Sequence, residues 1–198
     1  MVQTPSKPIT LDEFLQQPET KPASEYIDGK ILQKPMPQGQ HSRIQQKLMS
    51  AIHAAVEDDQ IALALPELRC TYPTGSHPAA VYGGRSTVPD IAVFQWARIP
   101  TNEDGSIANT FSAQPDWTIE TLSPEQSSTR VASNILHCLD HGCQLGWLID
   151  PGERLVQVYA PDERLISLES SEDVLPVPSF AETLTLTVGK LFDWLQVR

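Results

Sequence analysis

Residues 88–94 read VPDIAVF and residues 116–124 read DWTIETLSP. Each is an apolar, β-branched run of the kind that forms a buried strand, and each carries one acid inside it: Asp90 in the first, Glu120 in the second. A carboxylate taken out of water needs a cation, a proton or hydrogen-bond donors. Two such acids on neighbouring strands can point into one cleft, because the pleat sends alternate side chains to the same face. Hard divalent cations such as Mg²⁺ prefer carboxylate oxygens, so the pair suits a metal site. Read from the residues alone, it equally suits two strand-end acids satisfied by backbone donors or an arginine.

Working outward, Ser123-Pro124-Glu125 reads as a helix start, with a helix over about Glu125–His141 and a strand at Leu145–Ile149. Residues 154–159 and 163–168 pair across Pro161-Asp162 as a hairpin. Leu191, Trp194 and Leu195 make the tail LTVGKLFDWL a closing amphipathic helix. Toward the N-terminus, strands are expected at Val88–Gln95 and Ile61–Tyr72. Before them Ile44, Leu48, Ala51, Ile52 and Ala55 repeat with helical period in HSRIQQKLMSAIHAAVED. Asp28-Gly29 in SEYIDGKILQK marks a two-residue hairpin turn. Thr10 and Glu13 form a capping box for a short first helix that follows a mobile start, residues 1–9. This order predicts one α/β (α+β) domain over 1–198, a mixed β-sheet flanked by helices with a hairpin added near each end. The stretches 73–87 and 97–115 lack apolar periodicity and read as long loops, which in compact domains are often functional.

The 198 residues are 40% hydrophobic and 20% charged, the proportions of a globular protein with its own core. No run approaches the length of a membrane span, and Met1–Thr10 lacks the basic start and apolar stretch of a secretion signal, so a cytoplasmic location is expected. Cys70, Cys138 and Cys143 include no CxxC pair and read as reduced thiols. His137 and His141 share a helical face near two of them, but the glutamate of HExxH is missing and no second ligand pair is apparent. No phosphate-binding loop of the GxxxxGK[ST] type and no GxGxxG fingerprint occurs. The formal charge of −11 argues against broad non-specific binding to nucleic acid. It leaves room for a nuclease with a locally positive cleft, to which a bound cation contributes.

Glu25-Tyr26-Ile27-Asp28-Gly29, His41, Val88-Pro89-Asp90, Ile119-Glu120-Thr121-Leu122-Ser123-Pro124 and Gly146-Trp147-Leu148-Ile149-Asp150-Pro151 follow one another in the order of the motifs of the Uma-two family. From about residue 10 to the last helix, the chain resembles that family, which lies within the PD-(D/E)xK nuclease-like superfamily. The resemblance implies a restriction-endonuclease-like core. It implies that Asp90 and Glu120 bind Mg²⁺ or Mn²⁺, with the backbone carbonyl of Thr121 completing the set. Glu25 matches the family's acid before its hairpin turn, and His41 its histidine at the start of the long helix. The superfamily's lysine would fall at Leu122, and the position in the following helix to which the family moves it corresponds to Asn134. Arg130, one helical turn earlier, is a candidate to replace its charge. The expectation is therefore a Mg²⁺-dependent endonuclease acting on DNA, with Asp90, Glu120, Arg130, Asn134, Glu25 and His41 in its catalytic set, working as a homodimer. The competing expectation is a catalytically impaired relative that keeps the fold as a binding or assembly module.

Overall fold

The computed structural model describes residues 8–72, 84–124, 126–161 and 163–197. The chain opens with α1 (Leu11–Leu15), whose capping box forms: Glu13 N donates to Thr10 Oγ1 at 3.1 Å and Thr10 N to Glu13 Oε2 at 2.7 Å. The hairpin of β1 (Ser24–Ile27) and β2 (Lys30–Gln33) turns at Asp28-Gly29 with φ of 46° and 83°. Positive φ at both positions is the type I′ geometry that matches strand twist.

The long helix α2 (Gly39–Val56) buries Ile44, Leu48, Ile52 and Val56. It is followed by β3 (Ala62–Pro66), β4 (Cys70–Tyr72), β5 (Arg85–Thr87) and β6 (Ile91–Gln95). The chain continues through β7 (Trp117–Thr121), α3 (Ser128–Asp140), β8 (Leu145–Asp150), β9 (Leu155–Tyr159), β10 (Ile166–Leu168) and α4 (Val188–Asp193). Six strands form the main sheet in the order β10-β9-β8-β7-β6-β3, with β7 and β8 parallel and the other pairs antiparallel. A smaller antiparallel sheet runs β2-β1-β5-β4.

Alternation along the central strands sorts their residues between two faces. Ile91, Val93, Trp117, Ile119, Trp147 and Ile149 pack with α2 and with Leu191 and Phe192 of α4. Ala92 and Phe94 pack with Cys138, and Leu148 with Val131 and Ile135, which puts α3 on the opposite face. A parallel pair needs a crossover, and α3 supplies it between β7 and β8. The crossover sits tightly: a Cβ at Gly146 of β8 would collide with Ile135 of α3.

Several expected boundaries differ, and the strand expected from Val88 begins at Ile91. The strand expected over Ile61–Tyr72 is divided between the two sheets as β3 and β4, since Glu67, just past Pro66, adopts φ 48° and turns the chain away. The helix expected from Glu125 starts at Ser128. Ser123 N donates to Gln126 Oε1 and Gln126 N to Ser123 O, closing a separate turn before it. Of the expected 73–87 loop, 73–83 lies outside the described residues and Arg85–Thr87 is strand β5. The 97–115 stretch is a packed cover. Phe111 is buried against Phe94, and its carbonyl accepts from Thr71 N. Among the described residues no helix is long and apolar enough to cross a membrane.

Candidate active site

Strands β6 and β7 pair Ile91 with Ile119, and one step further along that register Asp90 stands across from Glu120. Both acids lie at the same end of the main sheet, and both are buried. Asp90 is fully engaged: Oδ2 accepts from Thr121 N at 2.7 Å and lies 2.9 Å from His41 Nε2, and Oδ1 accepts from Lys34 Nζ at 2.7 Å. Glu120 is held more loosely, with Oε2 at 3.4 Å from the same ammonium. The third proton of Lys34 goes to Val88 O at 2.7 Å.

Lys34 is the residue that sequence reasoning missed. It stands just after β2, and the smaller sheet carries it across to the two acids. The only signal for it was a lysine immediately before Pro35-Met36-Pro37, which read as an ordinary charged strand end.

Glu25, on β1, is buried nearby and is satisfied by Val88 N at Oε1 (2.9 Å) and by Asn134 Nδ2 at Oε2 (3.2 Å). Asn134 therefore reaches this site, but through Glu25. Arg130 does not join it: the side chain is exposed at the start of α3, whose buried stripe is Val131, Asn134, Ile135 and Cys138. Arg130 and Asn134 are the residues expected to replace the superfamily's lysine; the ammonium found between the two acids is that of Lys34.

Three buried carboxylates face one ammonium. Burial alone would raise the Asp90 carboxyl, but the charge of Lys34 and the hydrogen bond from His41 outweigh it and hold Asp90 well below its ordinary range. Glu120 goes the other way. Burial raises it, Lys34 offsets this only in part, and the charges of Asp90 and Glu25 raise it further. The opposite directions follow from the contacts, since Asp90 has three close donors and Glu120 one distant one. For Lys34, burial works against the charged form, but Glu120, Asp90 and Glu25 together raise its pKa above the usual lysine value.

Among the described residues no group of three or more His, Cys, Asp and Glu side chains is arranged around a single metal position. The donor set nonetheless fits a hard divalent cation: the two carboxylates leave coordination places for water, as Mg²⁺ prefers. The Lys34 ammonium marks the place between the carboxylates as one that takes positive charge. The surplus negative charge that raises Glu120 would be relieved by more of it.

Residues 11–189 match the family Uma2, described as "Putative restriction endonuclease". The chain belongs to the Uma2 family. A crystal structure described as a putative nuclease belonging to DUF820, from Anabaena variabilis ATCC 29413, superposes with a TM-score of 0.89 at 56% identity, covering 96% of this chain and 100% of that one. The fold of this Uma2 protein is accordingly restriction-endonuclease-like. No match is found among curated proteins.

Proposed function

We propose that this Uma2 protein is a Mg²⁺- or Mn²⁺-dependent endonuclease that hydrolyses phosphodiester bonds in DNA. The observation that carries the reading is the Lys34 ammonium, 2.7 Å from Asp90 and 3.4 Å from Glu120. Two acids and a lysine at one sheet end are the charge pattern of the PD-(D/E)xK type, here assembled with a lysine from a different element. Asp90, Glu120 and the Thr121 carbonyl are the groups that would hold the cation, and the chemistry it would supply there is polarisation of a phosphate oxygen and a lowered pKa for a bound water.

The protein's own groups have separable roles. Lys34 faces the charge that builds on the phosphate in the transition state, where a preorganised cation in a dry site is most effective. Thr121 N and His41 fix the Asp90 carboxylate through its Oδ2. Glu25 is a positioning residue: by accepting from Val88 N and Asn134 Nδ2 it ties the segment that carries Asp90 to α3.

A binding or assembly module is the second reading. It is favoured by the charge of −11 and by Leu122 and Asn134 at the two positions where the superfamily and the family carry lysine. Incubation with supercoiled plasmid in Mg²⁺ or Mn²⁺ separates the two. The nuclease reading expects nicked or linear product, abolished by EDTA and in Asp90→Ala, and uncut plasmid at every metal concentration would leave the module. The nuclease reading also makes a cytoplasmic C₂ homodimer the working form, since two-fold symmetry presents two equivalent sites to antiparallel strands. The outermost strand β10 supports it, with Leu165 and Ile166 exposed at the sheet edge.

A further inference from the structure

Beside the carboxylates lies a second and larger cleft of about 510 Å³, lined by three carboxamides, Gln38, Gln40 and Gln126, and by the apolar surfaces of Leu122, Pro124 and Pro151. Its volume is in the range of small-molecule sites. It adjoins the smaller cavity that reaches Lys34 and Asp90, since His41, Ser123 and Gln126 line both. The loop that begins at Leu122 directly follows β7, which carries Glu120, so a group held in the cleft lies next to a phosphate held at the acids.

The walls select the kind of ligand. Among the described residues the lining contains no lysine or arginine, so an anion would meet backbone amides at the start of α2 but no cationic side chain. Asp150, the one acid in the described lining, is turned to its own turn, where Oδ1 accepts from Gly152 N and Glu153 N. A wholly apolar ligand would cover the carboxamides and leave them without partners, at a cost in free energy. A neutral, flat group with apolar faces and an edge of donors and acceptors suits these walls, since each carboxamide offers both functions.

Gln126 is the most closely defined of the three. Its Oε1 accepts from Ser123 N at 3.0 Å, and because a backbone N–H can only donate, that contact fixes which end of the amide is which. No described residue accepts from Nε2, so its protons are left for a ligand where the two cavities meet. The side chains of Gln38 and Gln40 make no hydrogen bond among the described residues and can present either end. Glutamine is one of the side chains that read base edges, and every base has a flat face that packs on apolar or aromatic surface.

We propose that this cleft seats a nucleobase of the strand whose phosphate lies at Asp90 and Glu120, with Gln126 Nε2 as the fixed donor that reads the base. The faces of the base lie against Leu122, Pro124 and Pro151, and Gln38 and Gln40 complete the contacts along its edge. That the ligand is a base of a polynucleotide rests on the nuclease reading; that the cleft takes a neutral, hydrogen-bonding group does not. A fixed donor makes the cleft selective, favouring a base that presents an acceptor over one that presents an amino group in its place.

Deoxyuridine and deoxycytidine give the test, because they are uncharged, nearly the same shape, and exchange the O4 acceptor for the N4 amino donor. Gln126→Glu keeps an acceptor for Ser123 N and turns the free donor into an acceptor, while Gln40→Ala removes one carboxamide from the exposed first turn of α2. Backbone and side-chain amide signals are followed by NMR in EDTA, titrating each nucleoside and, in a separate series, inorganic phosphate. The expected result in wild type is saturable shifts of the Gln126 and Gln40 carboxamides with deoxyuridine favoured. In Gln126→Glu the ratio of the two affinities moves about tenfold toward deoxycytidine, and Gln40→Ala weakens both nucleosides alike. Unshifted carboxamides, or tighter binding of inorganic phosphate than of either nucleoside, overturn the proposal, and an unchanged ratio in Gln126→Glu overturns Gln126 as the reader. Nucleoside binding without plasmid cleavage would sink the nuclease reading and keep the cleft as a site for a neutral ligand; cleavage without nucleoside binding would do the reverse.

Discussion

Replacing Lys34 by methionine keeps most of the side chain's volume and removes the charge that joins the two acids. All three ammonium protons are in use, on Asp90, Glu120 and the Val88 carbonyl, so the variant strands two buried carboxylates and one carbonyl. Breaking a buried ion pair from one side costs about 3–5 kcal/mol. The carboxylates can escape part of that by taking up a proton, and pH sets how much. Wild-type Glu120 is already held toward its neutral form, so the charge newly stranded is that of Asp90, and holding that carboxyl neutral against an ordinary value of 3.8 costs about 6 kcal/mol at roughly pH 8 and about 2 kcal/mol at roughly pH 5.5. Metal-free Lys34→Met is therefore expected to be less stable than wild type by about 3–5 kcal/mol near pH 8 and by about 2 kcal/mol near pH 5.5. Urea denaturation in EDTA at the two pH values measures this, and Mn²⁺ should recover part of the loss at the higher one. A loss below about 1 kcal/mol that is the same at both pH values would refute the claim that Lys34 neutralises this pair.

Three further outcomes follow from the same geometry. Because the Glu120 carboxyl is raised, the folded chain holds a proton that the unfolded chain releases above about pH 4.5, so metal-free stability falls as pH climbs through the raised pKa. Glu120→Gln should flatten that fall between roughly pH 5 and 8, and identical slopes in the two proteins would contradict it. Gly146→Ala should lower stability by about 1–3 kcal/mol, as the added Cβ pushes Ile135 and α3 off β8, and an unchanged denaturation midpoint would show that α3 gives way freely. Sedimentation equilibrium at micromolar concentration should find a species of twice the 21.9 kDa chain; a single monomeric species would remove the dimer.

The sequence revealed most where the physics is local. The Thr10 capping box, the Asp28-Gly29 turn, the apolar stripe of α2 and the acids inside VPDIAVF and DWTIETLSP each depend on a few neighbouring residues, and each lies where its pattern puts it. Lys34 was not legible because it meets Asp90 and Glu120 across 56 and 86 residues, through the packing of one sheet against the end of another. No periodicity encodes that approach. Arg130 misled for a related reason. Its spacing from Asn134 suggested a shared face, but the buried stripe of α3 begins at Val131, and Arg130 falls on the solvent side of it. The Ser-Pro-Glu signal for the start of α3 was drawn from residues that close a turn of their own, tied by Ser123 and Gln126. The second sheet was invisible because β4 and β5 have three residues each, too few to show alternation.

The central claim is that Lys34 does the work for which the family uses a lysine at the position of Asn134. Single-turnover cleavage of a DNA duplex in Mn²⁺ tests it most directly, comparing wild type, Lys34→Ala, and Lys34→Ala combined with Asn134→Lys. The account predicts cleavage by wild type, a drop of about 100-fold or more in Lys34→Ala, and partial recovery when the ammonium is returned from α3. Cleavage by Lys34→Ala at the wild-type rate would contradict it.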